Sequence, residues 1–242
     1  MPLCSVFTRR IRILKLNRIA LWWHSALLRL YESLTRDDEV RPADLIFVMA
    51  GRMERKHYGL QLFRDGVSPE LVLSVGRFEV SKMRNMDLGG LDKLVRLRER
   101  TPLNERHFFV KVDSSGVRIE KARLPQWNTY GEAWALRHFL EIEKARRVIV
   151  VSTDVHLRRV ALTLAKVCRG MPVEFLYCPV PRHLVSFSKE GWWVRPDARR
   201  FVIHEMIKLA GYRLILSMPA WAARWTMRLK DDSKKHRVIK IE

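Results

Sequence analysis

Thr153, Asp154, His156 and Arg159 are the residues of this 242-residue chain best placed by type and spacing to do chemistry. They follow Val148–Val151, an unbroken β-branched run of the kind buried on both faces of a parallel sheet. Ser152, Thr153 and Asp154 are three helix N-cap residues in a row, and VHLRRVALTLAKVC behind them has apolar residues at helical spacing. A strand that enters a helix through a polar turn leaves backbone N–H groups free at the carboxyl edge of a sheet. That edge is where open α/β sheets bind ligands. His156 and Arg159 stand three apart and share one face of the helix's first turns. An anion on the N–H groups, clamped by Arg159 and contacted by His156, is the chemistry this stretch offers.

Three other turns belong to the same edge if the chain alternates strand and helix. Gly51-Arg52-Met53-Glu54-Arg55 follows an apolar run; its glycine lets backbone approach an anion that Arg55 can clamp. Ser74-Val75-Gly76-Arg77 repeats that logic, and Asn128-Thr129-Tyr130-Gly131-Glu132 opens a helix. Each has a plain structural alternative. Arg55 and Arg77 suit a surface, Thr129-x-x-Glu132 is a capping box, Asp154 is a helix cap, and an isolated histidine is usually structural.

The elements that must position these turns are readable in order. DLIFVMA (44–50) and ELVLSVG (70–76) are buried strands separated by a helix over 53–64. A helix lies within 82–100, broken near its start by Gly89-Gly90. HFFVKVD-SSG-VRIEKARL (107–124) is a hairpin about Ser114-Ser115-Gly116. A helix over 129–144 leads into the strand at 147–152, a further strand covers 173–180, and a terminal helix covers 196–212. The alternation predicts an α/β fold, a Rossmann-like three-layer sandwich with a mostly parallel sheet over residues 37–212. Residues 44–50, 70–75, 147–152 and 173–178 are expected as neighbouring parallel strands.

Familiar catalytic motifs are missing. There is no GxSxG, Walker loop or HExxH, and no GxGxxG follows a predicted strand. The histidines show no metal-ligand spacing, so no metal site is expected. Cys4, Cys168 and Cys178 form neither a CxxC pair nor an even framework and read as reduced thiols in a cytoplasmic setting.

The formal charge of +20 is unevenly spread. Residues 1–36 hold seven Lys/Arg against one acid, and residues 212–242 hold eight against three, so the ends supply eleven of the twenty charges. Both ends (1–36 and 213–242) are read as basic amphipathic segments. Over 10–34 an apolar stripe runs through Leu16, Ile19, Trp23, Leu27, Leu30 and Leu34, with Arg12, Lys15, Arg18 and Arg29 around it. The longest charge-free run, Ile19 to Leu28, is too short to span a bilayer. Two readings stay open for this helix: packing on the core, or lying at the inner face of the plasma membrane with Trp22 and Trp23 at headgroup level. Trp221 and Trp225 continue the basic-aromatic theme in the tail. An anionic membrane surface is thus a second candidate partner beside a small anionic ligand. Nucleic acid rests on net charge alone and is disfavoured, because no aromatic pair on a sheet face accompanies the basic residues.

Taken together, the strand-Gly with a downstream Arg, LFRDGVSPELVLSVG, NTYGEA, VIVVSTDVHLRRVALT and HEMIKLAGY resemble the ElyC/SanA/YdcF family over residues 44–212. The resemblance implies a Rossmann-like domain whose shared polar residues line one cleft: Gly51, Arg55, Ser74, Gly76, Thr129, Glu132, Thr153, His156 and Arg159, with Glu205 from the terminal helix. It also implies an envelope-related role and a nucleotide-like, phosphate-bearing or S-adenosylmethionine-type ligand, and it fixes neither a cofactor nor a reaction. SVGR stands here in place of the family's Ser-Gly-Gly, a hairpin precedes Asn128, and the family's frequent membrane anchor is reduced to an amphipathic helix.

The expectation is one cleft at the carboxyl edge. Gly51, Arg55, Ser74, Gly76, Arg77, Asn128, Thr129, Thr153, Asp154 and Arg159 would contact the ligand. Glu132 and His156 are the acid-base candidates if the protein is catalytic, with His156 titrating near neutrality and Arg55 pairing with Asp154.

Overall fold

The computed structural model describes residues 21–122, 124, 129–185, 189–218 and 239–240. Among the described residues seven strands form the sheet; the six longer ones are β1 (Leu45–Val48), β2 (Leu71–Val75), β3 (Phe108–Asp113), β4 (Gly116–Lys121), β5 (Arg147–Ser152) and β6 (Glu174–Pro179), in the order β6-β5-β1-β2-β3-β4. The four strands expected as neighbours, β6, β5, β1 and β2, are parallel to one another. β3 runs antiparallel to β2 and forms the expected hairpin with β4, whose outer edge pairs with a two-residue strand β7 (Ile239–Lys240).

Both sheet faces are covered, which is why the parallel strands carry unbroken apolar runs rather than alternating ones. Leu45, Phe47, Val148 and Val150 face a layer that includes α4 (Thr129–Glu143) and α5 (Asp154–Val167). Ile46, Val48, Leu71, Leu73 and Val151 face α2 (Met53–Arg64) and α3 (Leu91–Arg100). The α2 contact is close: a Cβ on Gly59 would stand 2.2 Å from Val48 Cγ2, so only glycine lets this helix sit so near β1. Each fully buried aliphatic side chain contributes about 1.5–3 kcal/mol over its exposed state, and these two layers supply most of the core.

α6 (Pro196–Ser217) packs on α5 and runs past the expected end near Tyr212, so residues 213–217 of the predicted tail are helical. The first helix, α1, is described over 21–32. Its Tyr31, with Leu34 just beyond it, is buried against Trp192, Ala198 and Val202. The core-packed reading therefore holds for the later part of this segment. Trp23, placed on the buried stripe by periodicity, is instead 58% exposed, and Tyr31 takes the inner position. Residues 1–20, 219–238 and 241–242, and with them Trp221 and Trp225, lie outside the described residues.

After β1 the chain adds β2 on one side, and it later returns to place β5 on the other. The crevice between β1 and β5 is the topological switch point, where helices diverge and ligands bind in open α/β sheets.

Candidate functional site

A cleft of about 900 Å³ opens at the carboxyl edge of the sheet over this crevice. Gly51, Arg55, Gly76, Arg77, Thr129, Glu132, His156 and Arg159 all line it, as does Glu205. Thr153 and Ser74, at 1% and 0% exposure, lie beneath the lining.

The floor is a network of charged groups held by one another. β1 ends at a turn whose Gly51 has φ +127°, a left-handed conformation that favours glycine, and a Cβ there would meet Arg55 Nη1 at 3.0 Å. Arg55 Nη1 donates to Ala50 O at 2.5 Å, and Nη2 donates to Thr153 Oγ1 at 2.9 Å. The guanidinium thus bridges the ends of β1 and β5 across the switch point. Its Nε is buried with no hydrogen-bond partner among the described residues. Burial pushes its pKa down to about 10, against the pull of Glu132, Glu79 and Glu205.

Glu132 arrives from the first turn of α4 and accepts the Ala50 N–H at 2.7 Å and the Ser74 hydroxyl. Burial raises its carboxyl pKa in spite of those bonds. Ser74 Oγ also lies 2.8 Å from His107 Nε2, so a hydrogen-bonded chain runs from His107 through Ser74 to Glu132. His107, wholly buried and near Lys56, is pushed down to about 3.

Arg159 reaches the floor from α5. Its Nη2 donates to Glu205 Oε2 at 2.9 Å, its Nε to the same oxygen at 3.1 Å, and its Nη1 to Thr129 Oγ1. Both members of the pair are buried, and Tyr212 lies under the guanidinium at 5.2 Å. His156 sits between Ser152 Oγ (2.8 Å from Nδ1) and Thr129 Oγ1 (3.3 Å from Nε2). Burial, then Arg55, Arg159 and Lys208, hold it well below the usual histidine range. The expected titration near neutrality is therefore corrected: His156 is a neutral imidazole at pH 7. The Thr129-x-x-Glu132 pair, readable as a capping box, turns both side chains to the cleft.

Two further expectations are corrected. Asp154 does not join the cleft or pair with Arg55. It points to the other side of the β5–α5 turn, where its Oδ2 accepts the Tyr31 hydroxyl at 2.5 Å and lines a second cavity of about 480 Å³ beneath α1. Arg55 takes Thr153 as its partner instead. Asn128 lies outside the described residues.

Several groups of the site carry little signal in the sequence. Glu79 is a hub: its Oε1 accepts the Gly51 N–H at 2.8 Å, and its Oε2 accepts the buried Lys56 ammonium. A Cβ on Gly76 would lie 2.8 Å from Glu79 Oε1, so the glycine makes room for this carboxylate. Lys82 and Lys208 stand on the rim with Arg77, and Arg52 stacks on Phe201 at 5.1 Å. Only the acid three residues after Gly76 and the polar residue heading the apolar run at 107–110 hinted at Glu79 and His107.

The cleft therefore presents its rim cations above a floor of groups bonded to one another, with the Ala50 and Gly51 amides already taken by Glu132 and Glu79. Glu132 is the group there with a carboxyl held toward its protonated form. Among the described residues no cluster of three or more His, Cys, Asp or Glu side chains is placed to hold a metal ion, and no helix is long and apolar enough to cross a membrane. Comparison with models of protein families, with curated proteins and with solved structures finds no match to this chain.

Proposed function

We propose that this chain is a YdcF-like protein whose cleft binds a small anionic ligand, nucleotide-like or phosphate-bearing, in an envelope-related role. The observation that carries the reading is the excess of cations around one cleft at the switch point. Arg52, Arg55, Arg77, Lys82, Arg159 and Lys208 line it against four glutamates, and burial weakens the charge of one of these, Glu132. Arg55 and Arg159 are committed to protein partners and act as floor. Lys82 at the rim is the group open to an incoming anion; Lys208, half-exposed beside it, shares its ammonium with Glu205 Oε1 at 3.0 Å, and phosphate oxygens are natural acceptors for both.

Isothermal titration of the full chain with pyrophosphate, ATP and S-adenosylmethionine tests this. The expected result is saturable binding of at least one phosphate-bearing probe, weakened about tenfold or more by the exchange Lys82→Glu with Lys208→Glu. Absence of binding by all three probes to a folded protein overturns the reading. Binding of S-adenosylmethionine alone replaces the phosphate-bearing ligand with the non-catalytic S-adenosylmethionine-type module.

The raised pKa of Glu132 favours a second, catalytic reading: hydrolysis or group transfer on an envelope precursor, with Glu132 as the proton donor. His156, neutral and hydrogen-bonded at both nitrogens, positions Thr129 and the ligand. In that reading Glu132→Gln keeps ligand binding and abolishes turnover.

A further inference from the structure

The surface farthest from a simple explanation lies where α1 meets the turn before α6. Leu21, Trp22 and Trp23 are 66%, 63% and 58% exposed, and Val194 is 70% exposed. Trp22 and Trp23 form an edge-to-face pair with centroids 5.1 Å apart. The next residue, His24, stacks edge-on against Trp193 at 5.0 Å, and Trp193 in turn against Trp192 at 6.0 Å. Trp192 is buried, with its indole N–H donating to Leu27 O at 3.3 Å, so the ladder is rooted in the core at one end and open at the other. The exposed Trp22–Trp23 pair thus adjoins, through His24, the half-buried Trp193 of a segment about 170 residues away in sequence. Aqueous surfaces rarely carry such a cluster without a partner.

We propose that this patch docks the protein on the surface of an anionic lipid bilayer. Indoles combine an apolar ring with an N–H donor and settle at the headgroup level of a bilayer. The charge around the patch is of the matching sign. Lys189, Arg195, Arg199 and Arg200 flank Trp192–Val194 against Glu190 and Asp197, with Lys189 paired to Glu32 and Arg195 to Asp197. Arg199 Nη1 donates to Trp193 O at 3.3 Å, which holds one cation beside the indole ladder. Exposed rings for insertion and flanking cations for anionic headgroups are the two components of interfacial binding. The helix that begins at this patch, α6, carries Phe201, Glu205, Lys208 and Tyr212 into the cleft. Docking therefore fixes the orientation of the cleft relative to the bilayer. The inference stands apart from the identity of the cleft's ligand.

Co-sedimentation of the full chain with vesicles tests it. The expected result is binding to phosphatidylglycerol/phosphatidylcholine vesicles, with little binding to phosphatidylcholine alone, and a blue shift of tryptophan emission on binding. Trp22→Ser with Trp23→Ser is expected to weaken partitioning about tenfold or more, with the melting transition unchanged because both rings are exposed. Val194→Asp, on the second segment, is expected to weaken it in the same direction. Vesicle binding that persists undiminished in both variants overturns the proposal, since charge alone then accounts for it. So does a change from dimer to monomer in the double variant without a change in vesicle binding, which would assign the patch to a second copy of the chain.

Discussion

Two cavities flank the carboxyl end of β5, and neighbouring residues serve them: Thr153 braces the larger cleft and Asp154 enters the smaller one under α1. In the smaller cavity the flexible cations are matched locally. Arg182 lies 3.4 Å from Glu190, and Lys189 pairs with Glu32. Its interior bond joins a phenol to a carboxylate, and burial and then Asp154 push the Tyr31 hydroxyl pKa upward. In the larger cleft Arg159–Glu205 and Lys56–Glu79 pair on the floor, and the lining still carries six Lys/Arg against four glutamates. A sequence-adjacent pair thus divides between a cavity that holds a helix in place and one whose lining cations outnumber its acids. Charged residues in a pocket do not by themselves mark a ligand site; what matters is whether their charges are already used.

The largest expected effect tests the floor. Glu205→Ala strands a buried guanidinium and should destabilise the protein by about 3–5 kcal/mol in urea denaturation. A loss below about 1 kcal/mol would mean that the floor is not a closed network, and the contrast between the cavities would fail.

The pH dependence comes next. His107 and His156 are buried neutral, so the unfolded chain binds protons near pH 6.5 that the folded chain refuses, down to about 3 for His107. Their contribution to stability is present above the unfolded value and is lost as pH falls below it, by about 1.4 kcal/mol per pH unit for each histidine. Glu132 has the opposite sign, because burial raises its pKa and acidification relieves that penalty. Stability measured between pH 7 and 5 should fall, His107→Gln should flatten the slope by about one proton, and Glu132→Gln should steepen it.

Tyr31→Phe removes the bond to Asp154 and should cost about 1–2 kcal/mol, with pyrophosphate affinity unaltered. Altered affinity would show the two cavities to be coupled through the β5–α5 turn. The smallest stability effect belongs to Lys208→Ala, within about 0.5 kcal/mol by thermal melting, accompanied by weaker pyrophosphate binding.

The sheet was legible because its strands are short aliphatic runs: β1, β2, β5 and β6 stand where Leu45–Val48, Leu71–Val75, Arg147–Ser152 and Glu174–Pro179 place them. α2 was legible from the Asp65-Gly66 stop, and the hairpin from its Ser-Ser-Gly turn. The gathering of Gly51, Arg55, Thr129, Glu132, His156 and Arg159 was legible because parallel strands bring every βα turn to one edge. The direction of a side chain within a turn was not. Nothing local separates Thr153 from Asp154, and both are good cap residues, so only packing against Arg55 and Tyr31 decides which cavity each enters. His156 was misjudged because its shift comes from burial and from two arginines distant in sequence or one helical turn away. Glu79 and His107 escaped notice because their partners, Gly51, Lys56 and Ser74, are reached only after the sheet has formed.

Gly76 and Glu79 carry a consequence for how this protein can vary. The carboxylate occupies the space that any side chain at 76 would need, while it ties down both the Gly51 amide and Lys56. A larger residue at 76 must push the Glu79 carboxylate aside, which loosens its hold on the Gly51 amide and on Lys56. A change at either position is therefore felt at the other, and through it at the mouth of the cleft and at a buried lysine.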